Sequence, residues 1–303
     1  MSIPDFQSLM LPVLKLAARS ETRINDAVVV LGNELGLSSA ELEELLPSGK
    51  QTTFANRVNW AKSYLGKAGL VILTKRAHFI ISDLGRKVLE EGPSRIDIKF
   101  LSQFENFQIF KSDRGSTTPQ VEMNDGQVTA DLTPDEQIRA ASDRLEAELA
   151  AELLSRIVQG SPAFFERLVV NLLISMGYGG SAQKAGRALG KTGDGGVDGV
   201  IDEDVLGLDR IYVQAKRYAT ENAVGASDIR DFFGALDQFK AGKGLFVTTS
   251  RFSDGAKKTV EKLSKRIVLI DGVELTRLMI THGVGCRVEE TILIKKLDEE
   301  FFE

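Results

Sequence analysis

The predicted fold is decided by two neighbouring stretches, GDGGVDGVI at residues 193–201 and IYVQAK at residues 211–216. Both read as strands, and the fifteen residues between Asp198 and Gln214 include a polar, glycine-containing return. Such a return lets the second strand pair antiparallel with the first. Because side chains alternate between the faces of a strand, Gln214 and Lys216 are expected on one face, about 7 Å apart. The pairing predicts that Asp198, Gln214 and Lys216 form one cluster.

A carboxylate, an amide and an amine in one cluster suit the cleavage of a phosphodiester. Asp198 supplies a hard oxygen ligand of the kind that Mg²⁺ or Mn²⁺ prefers, and Gln214 can add a weaker neutral ligand. The Lys216 ammonium can orient a water molecule and offset phosphate charge. The alternative is an ordinary hairpin in which Lys216 extends its amine into solvent. That alternative suits each residue taken singly, whereas the three residues together favour the cluster.

A longer match places these residues in a known family. Asp198 with Gln214-Ala215-Lys216 resembles the D…QxK variant of the PD-(D/E)XK nuclease motif. The strings GKTGDGGVDG at 190–199, YVQAKR at 212–217 and FVTTS at 246–250 are similar to Mrr-type restriction endonucleases. The resemblance covers about residues 155–295, and it has a weaker counterpart at the N-terminus.

The resemblance implies a fold, a cofactor and roles for the site residues. It implies a restriction-endonuclease-like α/β domain with a mixed central sheet, which uses Mg²⁺ or Mn²⁺ held by Asp198 and Gln214, with Lys216 as a catalytic residue. Gln214 stands where glutamate is usual, so the site carries less negative charge. The first core helix of such nucleases often adds an acid, which makes Glu166 a fourth candidate. The alternative for Glu166 is a solvated acid near a helix N-terminus.

Length and composition indicate a globular protein with two domains. The chain has 303 residues, of which 43% are apolar and 27% are charged, and this is enough for two ordinary cores. One cysteine excludes an internal disulfide, and two distant histidines leave no zinc finger, so any metal must bind oxygen. The N-terminus lacks a basic signal region and no apolar run is long enough to span a membrane, which predicts a cytoplasmic protein without membrane contact.

The N-terminal part, residues 1–92, is predicted to be a winged helix-turn-helix domain. Its patterns follow the order of helices at 6–18, 24–35 and 38–46, a basic helix that ends at Gly69, extended runs at 70–73 and 79–81, and a helix at 83–91. In such a domain the basic helix can enter a major groove while the hairpin contacts the DNA backbone.

Charge is concentrated on the basic helix and the hairpin. The net charge of −5 argues against indiscriminate polyanion binding, but residues 49–76 contain six basic residues and no acidic one. Asn56, Arg57 and Asn59 are the candidates for reading base edges, since amide and guanidinium groups can bind them in bidentate fashion. The candidates for DNA contacts outside the bases are Lys62, Lys67, Lys75 and Arg76. The alternative is a solvated helix face in a winged helix that binds protein.

Residues 93–158 are predicted to be a linker and a connecting helix, and residues 159–303 the catalytic domain. Thr133-Pro134-Asp135-Glu136 has the pattern of a capping box with proline at the first helical position. The helix from 134 to 158 is the candidate dimer contact, since cutting both strands with one site per chain requires a homodimer or a higher oligomer. The patterns after Gly160 follow the order α-β-β-α-β-α-β-α, which indicates a mixed sheet between helices.

Together these patterns predict a multi-domain α+β protein that acts as a metal-dependent DNA endonuclease on double-stranded DNA. The family resemblance implies restriction of modified, especially methylated, DNA. One alternative is a non-catalytic DNA-binding regulator in which Gln214 marks a degenerate nuclease domain. Another is a repair or junction nuclease that recognises DNA structure.

Overall fold

The computed structural model describes residues 2–112, 131–179, 196–204 and 206–295. They form two compact units, one up to Ala141 and the other from Ser142 to Lys295. The helices of the first unit are α1 (Met10–Arg19), α2 (Ile24–Glu34), α3 (Ser39–Glu43), α4 (Thr53–Lys67), α5 (Asp83–Glu90), α6 (Ile98–Leu101) and α7 (Glu105–Ser112). Its strands β1 (Thr22–Arg23), β2 (Val71–Lys75) and β3 (His78–Ile81) form an antiparallel sheet in the order β1-β3-β2.

The basic helix α4 forms where its pattern predicted it. Its apolar stripe is fully buried and consists of Phe54, Val58, Ala61 and Leu65. At its start, the Thr52 side chain accepts a hydrogen bond from the Ala55 amide at 3.3 Å. Just beyond its end, Gly69 has a φ of 77°, a left-handed conformation that glycine adopts readily. Local sequence therefore sets both ends of this helix.

The first unit extends beyond residue 92, the domain boundary predicted from the sequence. Residues that were assigned to the linker form α6 and α7, and Ile96, Leu101 and Phe107 are completely buried in the core of the first unit. Phe104 and Phe110 pack against the same core. Aromatic side chains at helical spacing are thus core residues here, because a neighbouring apolar surface is available to cover them.

The second unit contains the mixed central sheet that the sequence predicted. Helix α8 (Pro134–Gln159) is followed by α9 (Pro162–Ser175), β4 (Gly199–Asp202), β5 (Arg210–Lys216), β6 (Ala223–Val224), α10 (Ala226–Gln238), β7 (Lys243–Thr248), β8 (Arg251–Phe252), α11 (Asp254–Lys262), β9 (Arg266–Ile270) and α12 (Gly272–Thr281). The main sheet has the order β4-β5-β7-β9. Its first pair is antiparallel and the other two pairs are parallel. Strands β6 and β8 form a separate parallel pair.

Alternate residues of β5 pack into two different hydrophobic cores, whereas the alternation had predicted packing on the Val213 face and polar chemistry on the other. Val213 and its neighbours at Ile211 and Ala215 pack into the core formed with α9 and α12. Tyr212 packs into the other core, which contains residues of α10 and α11. Gln214 and Lys216 share the strand face of Tyr212. In the ranges that the structure describes, no helix has the length and apolar character needed to cross a bilayer.

Candidate active site

The β4–β5 hairpin brings Asp198 onto Gln214. Gly199 pairs with Val213, and the Asp198 amide donates a hydrogen bond to the Val213 carbonyl at 2.8 Å. The Asp198 Oδ2 atom accepts one hydrogen bond from the Ala215 amide at 2.7 Å and a second from Gln214 Nε2. The carboxylate and the amide that the sequence placed in one cluster are therefore in direct contact. The preceding part of the predicted strand, residues 193–195, lies outside the described residues.

Burial and neighbouring charges shift the pKa values of Asp198 and Glu166. Burial raises the pKa of Asp198, although the hydrogen bond from Ala215 and the positive charge of Lys216 act in the opposite direction. The pKa of Glu166 on α9 is also raised, first by burial and then by the negative charge of Asp198. The charge of Asp198 therefore acts on Glu166, and the membership of Glu166 in the site stays a prediction.

Lys216 forms an ion pair with an acid that the sequence did not identify. Its Nζ lies 2.6 Å from Oδ1 of Asp228 on α10. Burial works to lower the pKa of Lys216, but the hydrogen bond and charge of Asp228 outweigh it, so the pKa is raised above its ordinary value of 10.5. Lys216 is thus an ammonium at neutral pH, suited to stabilising negative charge rather than to removing a proton.

The FVTTS string holds the end of β5 in place. The Thr248 hydroxyl donates to the Lys216 carbonyl at 2.8 Å. The Thr249 hydroxyl accepts from the Tyr218 amide at 2.9 Å and donates to its carbonyl at 2.6 Å. Both threonines are buried. They fix the backbone on which Lys216 stands, a role that the sequence pattern alone did not indicate.

The donor set fits a divalent cation that prefers oxygen ligands. Asp198 and Glu166 are both partly buried, and the Asp198 charge raises the pKa of Glu166, so a nearby positive charge would favour their ionised forms. Gln214 can offer its carbonyl oxygen if its amide group turns by 180°. Among the side chains that the structure describes, no group of three or more His, Cys, Asp or Glu residues could hold a metal. A metal site here would therefore rest on Asp198, Glu166 and the Gln214 amide.

Two of the predicted base-reading residues are occupied within the first unit. Asn56 is 3% exposed, and its amide donates to Asp135 Oδ2 at 3.0 Å. The Arg57 guanidinium donates to Glu136 Oε1 at 2.8 and 3.0 Å, and also to backbone carbonyls at residues 3 and 4. The prediction that Asn56 and Arg57 lie on an open helix face is therefore wrong, because the acidic start of α8 covers that side of α4.

The other predicted DNA contacts are Asn59 and four cations on α4 and the β2–β3 hairpin. The Asn59 amide donates to the Ala55 carbonyl of its own helix at 2.8 Å. Two clefts of about 290 and 370 Å³ separate α4 from the β2–β3 hairpin, and Lys62 lines both of them. Lys67 lines one cleft, and Lys75 and Arg76 line the other. Two of these cations also contact neighbouring side chains: the Lys67 Nζ lies 5.2 Å from the centre of the Phe110 ring, and the Lys75 Nζ lies 3.5 Å from Glu21 Oε2.

Comparison with known proteins identifies the family. A family model described as a restriction endonuclease, Mrr_cat, matches residues 157–279, and the Mrr N-terminal domain matches residues 6–91. The Type IV methyl-directed restriction enzyme EcoKMrr of Escherichia coli (strain K12) is 33% identical to this chain over 310 residues. The match covers 100% of both proteins. A structure of MspJI restriction endonuclease in complex with a 27-mer oligonucleotide also matches, with 24% sequence identity and a TM-score of 0.34. The match covers 44% of this chain and 31% of the MspJI chain. The chain belongs to the Mrr family of restriction endonucleases.

Proposed function

We propose that this endonuclease restricts methylated double-stranded DNA and uses Mg²⁺ or Mn²⁺. The contact of Asp198 with Gln214, on the strand that also carries Lys216, is the observation that carries the catalytic part of the proposal. The full-length similarity to a methyl-directed enzyme supports the choice of substrate. The same residues argue against a non-catalytic regulator, since the acid and the lysine of the motif are both present and close together.

Each residue of the site has a distinct proposed role. Asp198, with Glu166 and the Gln214 carbonyl, would hold the divalent cation. When bound, the cation supplies Lewis-acid activation of the phosphate and of a water molecule. The Lys216 ammonium binds a non-bridging phosphate oxygen and stabilises the charge that grows on it as the phosphorane forms. Asp198, Gln214 and Lys216 are all partly buried, which strengthens these interactions relative to a fully exposed site.

The first unit is proposed to bind DNA as a winged helix through the groove between α4 and the β2–β3 hairpin. Lys62, Lys67, Lys75 and Arg76 surround this groove and carry the charge that phosphates require. Asn59 remains a candidate for a base contact, because its amide donates to the Ala55 carbonyl of its own helix and has a second N–H that could reach a base edge. Asn56 and Arg57 instead position the start of α8 on the recognition helix.

The enzyme is proposed to act as a homodimer or a higher homo-oligomer. One active site of this kind cuts one strand, so a double-strand break requires two sites. Helix α8 supports the proposal, because Ile138 is 42% and Leu145 is 68% exposed along it. Large apolar side chains that face solvent on a long helix are typical of a surface that a second copy covers.

Cleavage of matched plasmids tests the proposed function. The wild-type protein is incubated with methylated and with unmethylated plasmid in Mg²⁺, in Mn²⁺ and in EDTA. We expect linear product only from the methylated plasmid and only with metal. Equal cleavage of both plasmids would instead indicate a nuclease that is blind to methylation, and cleavage in EDTA would rule out the metal-dependent chemistry.

A further inference from the structure

Asp228 uses its two carboxylate oxygens for two different purposes. It is the third residue of α10, and its Oδ2 accepts a hydrogen bond from the amide of Gly225, the residue that caps the helix, at 2.9 Å. Its Oδ1 lies 2.6 Å from the Lys216 Nζ. The helix bond fixes where the carboxylate stands, so the second oxygen offers the lysine a fixed partner.

Both side chains of the Lys216–Asp228 pair are partly shielded from solvent. The side chains are 32% and 22% exposed, whereas the surface pair of Arg156 with Glu152 is 75% and 60% exposed. Exposed pairs contribute little because solvent and salt screen them and both side chains must be ordered. A shielded and anchored pair holds its geometry better. The Lys216 backbone is also fixed, since its carbonyl accepts the Thr248 hydroxyl.

A lysine that acts on a phosphate needs such a partner. Its four-carbon side chain has several rotatable bonds, and holding it in one rotamer costs conformational entropy. The ammonium has three hydrogens, of which Asp228 takes one. The Tyr218 side chain also interacts with the amine, so at least one hydrogen remains for a phosphate oxygen or a water molecule. Asp228 thus leaves the lysine able to act while restricting where it can go.

We propose that Asp228 is a positioning residue for the cleavage reaction, acting through Lys216 and not through contact with DNA or metal. The inference rests on the proposed role of Lys216 in catalysis. A merely structural reading is that Asp228 only caps α10. The two readings separate because asparagine can still accept the Gly225 hydrogen bond but carries no charge for the lysine.

The test compares full-length Asp228→Asn with wild type on methylated plasmid in Mg²⁺. The single-turnover cleavage rate is expected to fall about 10- to 100-fold, the range found when a group that orients a reacting residue is removed. The dissociation constant for DNA should stay within about threefold and the melting temperature within about 2 °C, since capping is retained. Asp228→Glu, which keeps both the charge and the helix-capping group, is expected to recover part of the rate.

Asp231→Asn is the matched control, because Asp231 is an exposed acid of the same helix and loses the same charge. It should cleave at the wild-type rate. Wild-type cleavage by Asp228→Asn would overturn the inference, and so would an equal loss in Asp231→Asn. Failure of the wild-type protein to cut any plasmid would count against the proposed function instead.

A second measurement tests the contact between Asp228 and Lys216 without measuring DNA cleavage. Acetylation of Lys216 by acetic anhydride at fixed pH, followed by mass spectrometry of its peptide, reports how firmly the amine is held. We expect Asp228→Asn to react several-fold faster than wild type, and Asp231→Asn to react at the wild-type rate. Equal rates in all three proteins would show that Asp228 does not hold the lysine, whatever the activity.

Discussion

Substitution of the lysines that line the proposed DNA groove should change the salt dependence of binding, whereas substitution of the partly shielded Arg57 should change stability. In a triple variant, Lys62, Lys67 and Lys75 are each replaced by glutamine. Each phosphate contact contributes about 0.9 to the slope of log K against log salt, so three lost contacts flatten the slope by about 2.7. Between about 50 and 200 mM salt, that change corresponds to roughly 40-fold less salt dependence of binding.

Arg57→Gln is the matched comparison, and its expected effect is on stability. Arg57 is 17% exposed and its partner Glu136 is 12% exposed, so the substitution leaves a shielded carboxylate without its cation. It also removes donors from the carbonyls of Ile3 and Pro4. A loss of about 1–3 kcal/mol in the free energy of unfolding is expected for groups left unsatisfied in this way. The salt slope should not change.

Fluorescence anisotropy with a labelled duplex, measured at several KCl concentrations in EDTA, gives the slopes without cleavage. Thermal denaturation of each variant gives the stability. The reasoning fails if Arg57→Gln flattens the slope while its melting temperature is unchanged, because the guanidinium would then contact DNA and not Glu136. It also fails if the triple variant keeps the wild-type slope, which would place the DNA surface elsewhere.

Three further substitutions test the site and the core. Lys216→Ala should lower the cleavage rate by at least about 100-fold while DNA affinity stays within a few-fold, and retained cleavage would remove its catalytic role. Asp198→Asn should raise the melting temperature at neutral pH without metal. The pKa of Asp198 is raised, so the stability linked to this group is present below its ordinary pKa of 3.8 and is lost as pH rises through the folded-state pKa. The advantage of the variant should therefore vanish in acid, and added Mn²⁺ should stabilise only the wild type. A less stable variant at neutral pH would contradict this account. Gly85→Ala should destabilise the first unit by roughly 2–4 kcal/mol, because a Cβ there would lie 2.2 Å from the Leu70 carbonyl oxygen. An unchanged denaturant midpoint would show that the backbone can shift to make room for the Cβ without a loss of stability.

The β4–β5 hairpin could be predicted from the sequence because its signals are local. Alternation along 211–216 set which residues of β5 face each core, and the glycine-containing return set the antiparallel pairing. The register of this strand pair is then enough to bring Asp198 into contact with Gln214. The same kind of local signal predicted the ends of α4 and the mixed sheet.

The environment of Asn56 and Arg57 could not be predicted in this way. Their partners, Asp135 and Glu136, lie 79 residues further along the chain. Helical periodicity showed that these side chains avoid the apolar stripe, but a residue outside the stripe can face either solvent or another polar element. Only tertiary packing decides between the two, and here it selected the acidic start of α8.

Glu136 and Asp228 show that a local cap can determine a distant ion pair. Both are the third residue of their helix, and each accepts a hydrogen bond from the backbone amide of its capping residue, Thr133 or Gly225. In both cases the other oxygen meets a cation from another element, Arg57 or Lys216. A helix N-terminus interacts favourably with a carboxylate, which offsets part of the cost of shielding the acid from solvent. The cap fixes the position of one charge at little cost, and the partner needs only a side chain long enough to reach it. Sequence patterns of the capping box therefore mark where fixed anions will stand, although they do not show which cation each anion will hold.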